Sequence, residues 1–333
     1  MIKLKLEDFV VKEIITLKKS NGKYLYIEVE KRNLNTLDVV KIIADSLRMP
    51  RKHIGYAGYK DKNAVTTQYF SLLNVKKEDV KKIKFDNINI KALYYGDKPI
   101  YLGALKENKF KIVVRNLNSI NKLKIDFIEN YFDEQRFGNK RNNHLVGEAL
   151  IKKDFKKAVE LINDERLNEY LKEKVNDFIG ALKLLNFKII SLYISAFQSF
   201  LFNSVLAEYL KSYKYFKVHY CAGELLFLNK KIKNFKIPII NFDFEFSNDK
   251  VSLIYKKLLG GIELRNFIIK EFPYSVSYTA FRDAFVNIKN FKYKYSKDEL
   301  NMGRNKVILE FSLPAGSYAT IVVKKLFSEN YIK

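Results

Sequence analysis

The feature that most constrains the fold is a change in hydrophobic periodicity near Gly147. Before it, short runs alternate apolar and polar residues, as strands with one buried face do. After it, apolar residues recur at helical spacing in Ala149 to Ile162, Glu169 to Leu185 and Ile194 to Leu210. Strand patterns return in the tail from Phe285 onward. The chain is therefore predicted to be α+β, with a helical segment between two parts of one sheet domain.

Turn and cap signals place individual elements in the first part of the chain. Ile2 to Leu6 alternates and is predicted to be a strand. Asn21-Gly22 lies between two strand-like runs, which predicts a β-hairpin. Asn35-Thr36 opens a helix that runs to about residue 47, and Ser119 to Ile128 is also predicted to be helical.

The charge balance points to a polyanionic partner. Lys and Arg total 61 against 37 Asp and Glu, a formal net charge of +24. Such an excess favours nucleic acid first and an acidic membrane surface second. The N-terminus shows no apolar segment preceded by basic residues, and no apolar run reads as long enough to span a bilayer. We therefore expect a cytoplasmic protein that does not enter a membrane.

Cysteine and histidine usage argues against a metal centre. Cys221 is the single cysteine, so it can form neither an internal disulfide nor a cysteine-rich metal site. His53, His144 and His219 are scattered, which argues against zinc. We interpret all four residues as structural and expect no metal.

The stretch from Gly55 to Gln68 carries the strongest candidate for chemistry. Asp61 stands between Lys60 and Lys62, and nearby positive charge keeps a carboxylate ionised. In a basic protein, an ionised aspartate on a tight turn is a candidate nucleophile or base beside a polyanion. The alternative is a hairpin loop with solvated charges, and spacing alone favours that alternative.

Aromatic residues on loops are candidates for binding an unstacked base. Such bases stack on aromatic faces while basic side chains take the phosphates. Phe132 and Tyr318 fit this role better than aromatics within helices, although ordinary core packing explains either one alone. Asn130 could recognise a base edge or cap a helix C-terminus. Three clusters combine aromatic and polar residues: Asp8 to Glu13, Asn130 to Gly138, and Leu313 to Thr320.

Basic residues near these clusters are candidates for contacting phosphate. Lys3 and Lys31 could pair with Asp61 or with phosphate, or could be solvated strand lysines. Arg136 and Arg282 are of interest because arginine is rare here among many lysines. The planar guanidinium fork suits carboxylate or phosphate contacts.

Residues Ala57 to Gln68 resemble the signature of the TruD family of tRNA pseudouridine synthases. Similar elements recur in the family's order at Glu7 to Glu13, Lys31 with Asn35-Thr36, Leu102 to Arg115, Asn130 to Gly138, and Leu313 to Thr320. The resemblance covers both ends of the chain and is much weaker between about residues 155 and 286.

The resemblance implies a discontinuous catalytic domain with an insertion. Residues 1–154 and 287–333 would form a pseudouridine-synthase domain, with a mixed or antiparallel sheet flanked by helices. Residues 155–286 would form the family's inserted, mostly helical α/β domain. This division agrees with the change in periodicity near Gly147.

The resemblance also implies the activity, a tRNA pseudouridine synthase that isomerises a uridine without a cofactor. The family's usual bacterial target is uridine 13 in the D-arm, and the uridine must leave its stack to enter a pocket. Asp61 would be the nucleophile, with Lys60 and Lys62 keeping it ionised and meeting phosphates. Proton abstraction at C2′ through a glycal remains the competing route. No protein partner is implied.

Family positions that contact substrate map onto several residues of this chain. Phe132 would stack on the base, and Lys3 occupies the place of a basic residue upstream of the Asp-Phe motif. Phe281-Arg282 stands where a double arginine is common, and Asp133 where glycine is frequent. The implied substrate-contacting residues are Phe9, Asn130 and Tyr318.

Two rival functions remain open. A non-catalytic RNA-binding protein or chaperone could use the same basic, aromatic surface, and replacing Asp61 would then change nothing. A peripheral membrane protein is motivated only by net charge. The RNAs modified, the oligomeric state, the limits of the insertion and its role in selecting RNA stay open.

Overall fold

The computed structural model describes residues 2–328. Its helices are α1 Thr36–Ser46, α2 Lys77–Val80, α3 Asn143–Ile151, α4 Phe155–Ile162, α5 Glu165–Glu173, α6 Phe178–Lys183, α7 Phe187–Leu210, α8 Lys250–Leu259 and α9 Ala319–Leu326. Its strands are β1 Phe9–Ile14, β2 Tyr24–Arg32, β3 Ile54–Tyr56, β4 Val65–Leu73, β5 Ile88–Gly96, β6 Glu107–Leu117, β7 Phe127–Glu129, β8 Tyr215–Tyr220, β9 Gly223–Leu228, β10 Lys236–Ile239, β11 Ala280–Asp283, β12 Phe285–Asn287, β13 Lys289–Lys297 and β14 Asn305–Pro314.

The chain divides into two compact units. Unit 1 comprises the chain up to Asp126 together with Asn287–Ala319, and unit 2 comprises Phe127–Val286 with the segment from Thr320. The predicted limits of the inserted domain, residues 155–286, refer to a segment implied by the resemblance, whereas the two units are defined by compactness alone. That domain division therefore stays a prediction.

Unit 1 is built on a mixed sheet, which confirms the predicted α+β class. Its strand order is β13-β14-β6-β1-β4-β2-β5, with β3 paired to β4. Strands β1 and β4 run parallel, whereas β1–β6, β2–β4, β2–β5, β6–β14 and β13–β14 are antiparallel. Alternation places one face of each central strand in the core, as the period-2 pattern predicts.

Helix α1 covers this sheet for reasons visible in its sequence. Its start is closed by the Asp38 carboxylate, which accepts a hydrogen bond from the Asn35 N–H at 2.8 Å. Val39 and Ile43 are spaced four residues apart, so they share one face and pack on the buried strand residues of β2 and β4. Each fully buried side chain of this size contributes roughly 1.5–3 kcal/mol.

A buried ion cluster fixes the segment that precedes β1. The Asp8 carboxylate receives Nε of Arg115 at 3.0 Å and one terminal nitrogen at 2.9 Å. The other terminal nitrogen donates to Asp298 at 2.8 Å. Asp8 also accepts from the Lys5 N–H at 3.0 Å. The N-terminal segment, β6 and the β13–β14 hairpin are therefore held to one guanidinium.

Unit 2 is organised around α7. Helices α3 and α8 and strands β9 and β10 pack against it. By length and composition α7 could cross a membrane, with a mean hydropathy of 1.5, so the expectation that no apolar run is long enough was wrong. However, 61% of its most apolar window is buried in the protein, as in a core helix.

Three local predictions are corrected by tertiary contacts. Asn21-Gly22 does not join a hairpin, because β4 lies between β1 and β2 in the sheet. Ser119 to Ile128 is irregular up to β7, since the Asn121 and Asp126 carbonyls accept from Tyr295 and from the Ile288 N–H instead of from a helix. Ile2 to Leu6 is not a strand, and Lys3 has a left-handed φ of 61°.

Candidate active site

The loop between β3 and β4 carries Asp61 and is anchored on both sides. The hydroxyl of Thr36, the first residue of α1, accepts from the Lys60 N–H at 2.9 Å and donates to Gln68 Oε1 at 2.9 Å. Gln68 Nε2 in turn donates to the Gly58 carbonyl at 3.0 Å. Both Thr36 and Gln68 are buried. These bonds tie the loop to α1 and β4, so Asp61 sits on a fixed support.

Lys3 forms an ion pair with the Asp61 carboxylate. Its Nζ lies 3.2 Å from Asp61 Oδ2, and the two side chains are 29% and 25% exposed. The same ammonium lies 4.1 Å from the centroid of the Phe9 ring, within cation–π range. Unit 1 therefore brings three predicted site residues together around a carboxylate that solvent can reach.

Lys31 approaches the same loop from the interior. Its side chain is 0% exposed, and its Nζ donates to the Leu34 carbonyl at 2.5 Å and to the Asp61 main-chain carbonyl at 3.0 Å. Burial lowers the pKa of Lys31 to about 8, against the opposing charge of Asp61. Both hydrogen bonds go to protein carbonyls, and contact of Lys31 with substrate stays a prediction.

Lys60 forms an ion pair with a buried glutamate of β1. Its ammonium pairs with Glu13 at 2.6 Å, and the two side chains are 9% and 0% exposed. Glu13 also accepts from the Tyr69 N–H at 3.1 Å and from Gln68 Nε2 at 3.3 Å. Lys60 is therefore paired with a buried carboxylate on β1, and its contact with phosphate stays a prediction.

Two further residues of unit 1 were predicted to contact substrate. The Phe9 ring is 5% exposed and packs edge-on against Phe110 at 6.3 Å. Tyr318 lies between β14 and α9 and is half-buried. Their contact with substrate stays a prediction.

Unit 2 holds the other predicted residues in a second group. Asn130 follows a strand, not a helix, so it is not a helix C-cap. Arg282 donates from Nε to the Asn130 carbonyl at 2.9 Å and from a terminal nitrogen to its Oδ1 at 2.6 Å. Asn130 Nδ2 donates to the Asp283 carbonyl at 3.0 Å. The Arg282 fork thus orients an amide side chain.

Two guanidinium groups lie close to the Phe132 ring. The central carbons of Arg282 and Arg136 are 4.3 Å and 5.2 Å from its ring centroid. Phe202 meets the ring edge-on at 5.4 Å, and Phe132 is only 4% exposed. Unit 2 therefore brings Asn130, Phe132, Arg136 and Arg282 together. Base stacking on Phe132 stays a prediction.

Asn203 was missed by sequence reasoning. Its Oδ1 accepts from the Phe132 N–H at 2.9 Å, and its Nδ2 donates to the Phe132 carbonyl at 2.8 Å. Asn203 is 1% exposed on α7. A polar residue at a buried position of an apolar helix is the signal that could have found it, because buried amides are hydrogen-bonded.

Asp133, which stands where the resemblance implies a frequent glycine, is paired with a lysine. Lys324 lies 2.5 Å from its carboxylate, and both side chains are buried. Its φ is −98°, so the backbone needs no glycine there. Across residues 2–328, no group of three or more His, Cys, Asp or Glu side chains could hold a metal ion.

Comparison with known proteins places this arrangement in a family. A solved structure from Methanosarcina mazei, titled a putative tRNA pseudouridine synthase D, superimposes with a TM-score of 0.72 at 24% identity, covering 98% of this chain and 93% of the other. The chain therefore shares the fold of that structure.

Sequence relatives agree over nearly the whole chain. The family model described as tRNA pseudouridine synthase D (TruD) matches residues 1–167 and 161–326. A tRNA pseudouridine synthase D from Aquifex aeolicus is 29% identical, over 98% of this chain and 97% of its own. A probable tRNA pseudouridine synthase D 2 from Methanocaldococcus jannaschii is 31% identical, over 98% and 91%. The chain belongs to the TruD family of tRNA pseudouridine synthases, which are isomerases.

Proposed function

We propose that this protein converts uridine 13 in the D-arm of tRNA to pseudouridine, with Asp61 as the nucleophile. The observation that carries the proposal is the Asp61 carboxylate itself. It stands on a loop anchored at Thr36 and Gln68, is 25% exposed, and has the Lys3 ammonium at 3.2 Å. The tRNA substrate is supported by the names of the relatives and by the net charge of +24.

The chemistry rearranges one nucleoside without gain or loss of atoms. The N1–C1′ bond breaks, the uracil turns, C5 bonds to C1′, and the proton from C5 leaves while N1 gains one. Asp61 would attack C1′ as uracilate departs, and the ester would break when C5 attacks the same carbon. In the competing route, Asp61 takes a proton from C2′ and a glycal forms.

The resting position of Lys3 suits the nucleophilic route. It holds the ammonium beside the carboxylate, with Nζ 3.2 Å from Asp61 Oδ2. It also gives the uracilate leaving group a nearby positive charge as that group develops. The uridine must first leave its stack, at a cost of a few kcal/mol.

Tritium release from tRNA labelled with [5-³H]uridine tests the reaction, because C5 loses its hydrogen only on becoming the glycosidic carbon. We expect release by the wild type and none by Asp61→Asn, with tRNA binding retained. Asp86→Asn, an exposed acid of the same unit, is the matched control and should behave as the wild type does. Near-normal release by Asp61→Asn would end the nucleophile assignment.

The target position is tested separately with a transcript that carries cytidine at position 13. Loss of the D-arm modification with this transcript supports the assignment, whereas undiminished release would refute position 13 and leave the activity standing. No release from any labelled tRNA, together with tight tRNA binding, would favour the non-catalytic RNA-binding alternative.

A further inference from the structure

Lys31 is a fully buried lysine of unit 1. It lies near the end of β2, where its main chain pairs with Thr66 on β4 and with Ile88 on β5. Its side chain is 0% exposed, although lysine is rarely fully buried unless it is paired. Lysine has three N–H donors and no acceptor, and two of them go to the carbonyls of Leu34 and Asp61.

These two bonds join the loop to the chain entering α1. Leu34 lies just before the helix. Asp61 accepts from Lys31 through its main-chain carbonyl, and its side chain is the proposed nucleophile. On the other side, Thr36 holds the Lys60 N–H. The Thr36 hydroxyl therefore holds the main chain at residue 60, and the Lys31 ammonium holds it at residue 61.

We propose that Lys31 is a positioning residue for Asp61, acting through the Asp61 main-chain carbonyl rather than on RNA. The inference rests on the proposed function, since it gives Lys31 a role in that same reaction. An ammonium with no exposed surface and two carbonyl partners holds the loop at a fixed distance from α1. A displacement of one ångström in a reacting group can cost about 100-fold in rate.

The charged groups around Lys31 come from each neighbouring element. Asp61 and Lys60 lie on the loop, Asp38 on α1 and Glu13 on β1. The Lys60 ammonium forms an ion pair with the Glu13 carboxylate at 2.6 Å. Lys31 therefore supplies a buried positive charge next to the Asp61 loop. Loss of its proton would weaken both bonds to the carbonyls, because charge-assisted hydrogen bonds are roughly twice as strong as neutral ones.

The test compares Lys31→Met and Lys31→Arg with two reference variants. Thr36→Val removes the uncharged anchor of the same loop, and Lys62→Met removes an exposed lysine from it. The single-turnover rate of tritium release at saturating tRNA and the salt dependence of tRNA binding are measured for each. Loss of one phosphate contact lowers the slope of log affinity against log salt concentration by about 0.7–0.9.

We expect Lys31→Met to lower the single-turnover rate by about 30-fold or more, with the tRNA dissociation constant and salt slope unchanged. Lys31→Arg should restore part of the rate, and Thr36→Val should lower it without altering its pH profile. A reduced salt slope with an unchanged rate would overturn the proposal in favour of a phosphate contact. An unchanged rate and slope in Lys31→Met would overturn the proposal and leave Lys31 with a role in folding alone.

The wild-type pH profile keeps the proposal testable if the variants do not fold. The rate at saturating tRNA should fall as Lys31 loses its proton, while tRNA affinity stays constant over that range. A flat profile up to pH 9.5 would overturn the proposal. Failure of the proposed function is a separate result, since it appears as absent tritium release from the wild type at every pH.

Discussion

The ammonium of Lys3 lies 3.2 Å from the carboxylate of Asp61, although 58 residues separate them in the chain. Both side chains are partly exposed, so solvent can reach the pair. The contact unites the N-terminal segment with the β3–β4 loop, two stretches without local sequence contact.

Replacing Lys3 should weaken the reaction more than binding. Lys3→Met removes the charge at the carboxylate, and we expect kcat for tritium release to fall about 10-fold, which corresponds to about 1.4 kcal/mol. Lys5→Met is the matched control, because Lys5 is an exposed lysine two residues away. An equal loss for both variants would show that only general charge matters.

Breaking the Asp8–Arg115 pair should destabilise the protein. Asp8→Ala removes the carboxylate that binds Nε and one terminal nitrogen of a buried guanidinium, although Asp298 at 2.8 Å and Glu299 at 3.0 Å still pair with it. We expect a loss of about 3 kcal/mol in the free energy of unfolding, measured by urea denaturation. The exposed Asp86→Asn should change it by less than about 0.5 kcal/mol. A small effect of Asp8→Ala would mean that the remaining carboxylates satisfy the guanidinium.

Asn203 should act on the Phe132 peptide through two bonds. Asn203→Ala removes the partners of both the N–H and the carbonyl of Phe132, and we expect about 2–4 kcal/mol of destabilisation. Asn203→Asp keeps an acceptor for the N–H but turns a carboxylate oxygen toward the carbonyl at a buried position, so we expect it to cost at least as much as Asn203→Ala. Denaturation midpoints provide the measurement. Equal stability of Asn203→Ala and wild type would contradict the role of both bonds.

Lys31 should give stability a pH dependence of definite sign. Its pKa is about 8 in the folded protein and near 10.5 when unfolded, so between these values the unfolded chain holds the extra proton. By linkage, the free energy of unfolding attributable to Lys31 rises as pH increases through that window, by up to about 3 kcal/mol.

Comparison of wild type with Lys31→Met isolates this contribution from other titrating groups. The stability of the wild type relative to the variant should increase between about pH 8 and 10.5 and stay level below pH 8. A constant difference across that window would show that burial does not depress the lysine's pKa.

Much of the fold could be predicted because it depends on neighbouring residues. Helix α1 followed from Asn35-Thr36 and apolar spacing, and the alternating runs became strands of the mixed sheet. The family motifs located Asp61 on its loop. The predictions failed where a segment bonds to residues far away in the chain. Asn21-Gly22 lies between β1 and β2, which do not pair with each other. Ser119 to Ile128 hydrogen-bonds to Tyr295 of β13 and to Ile288 just before it.

The candidate site divides in the same way. The sequence by itself determined that an ionisable aspartate stands on a turn among lysines, and which loops carry aromatic and arginine residues. Only the tertiary structure decided that Lys3 meets Asp61, that Glu13 takes Lys60 and that Lys31 is buried under the loop. The physical reason is sheet register: pairing β1 and β2 on either side of β4 sets which distant side chains meet, and local patterns do not encode that register.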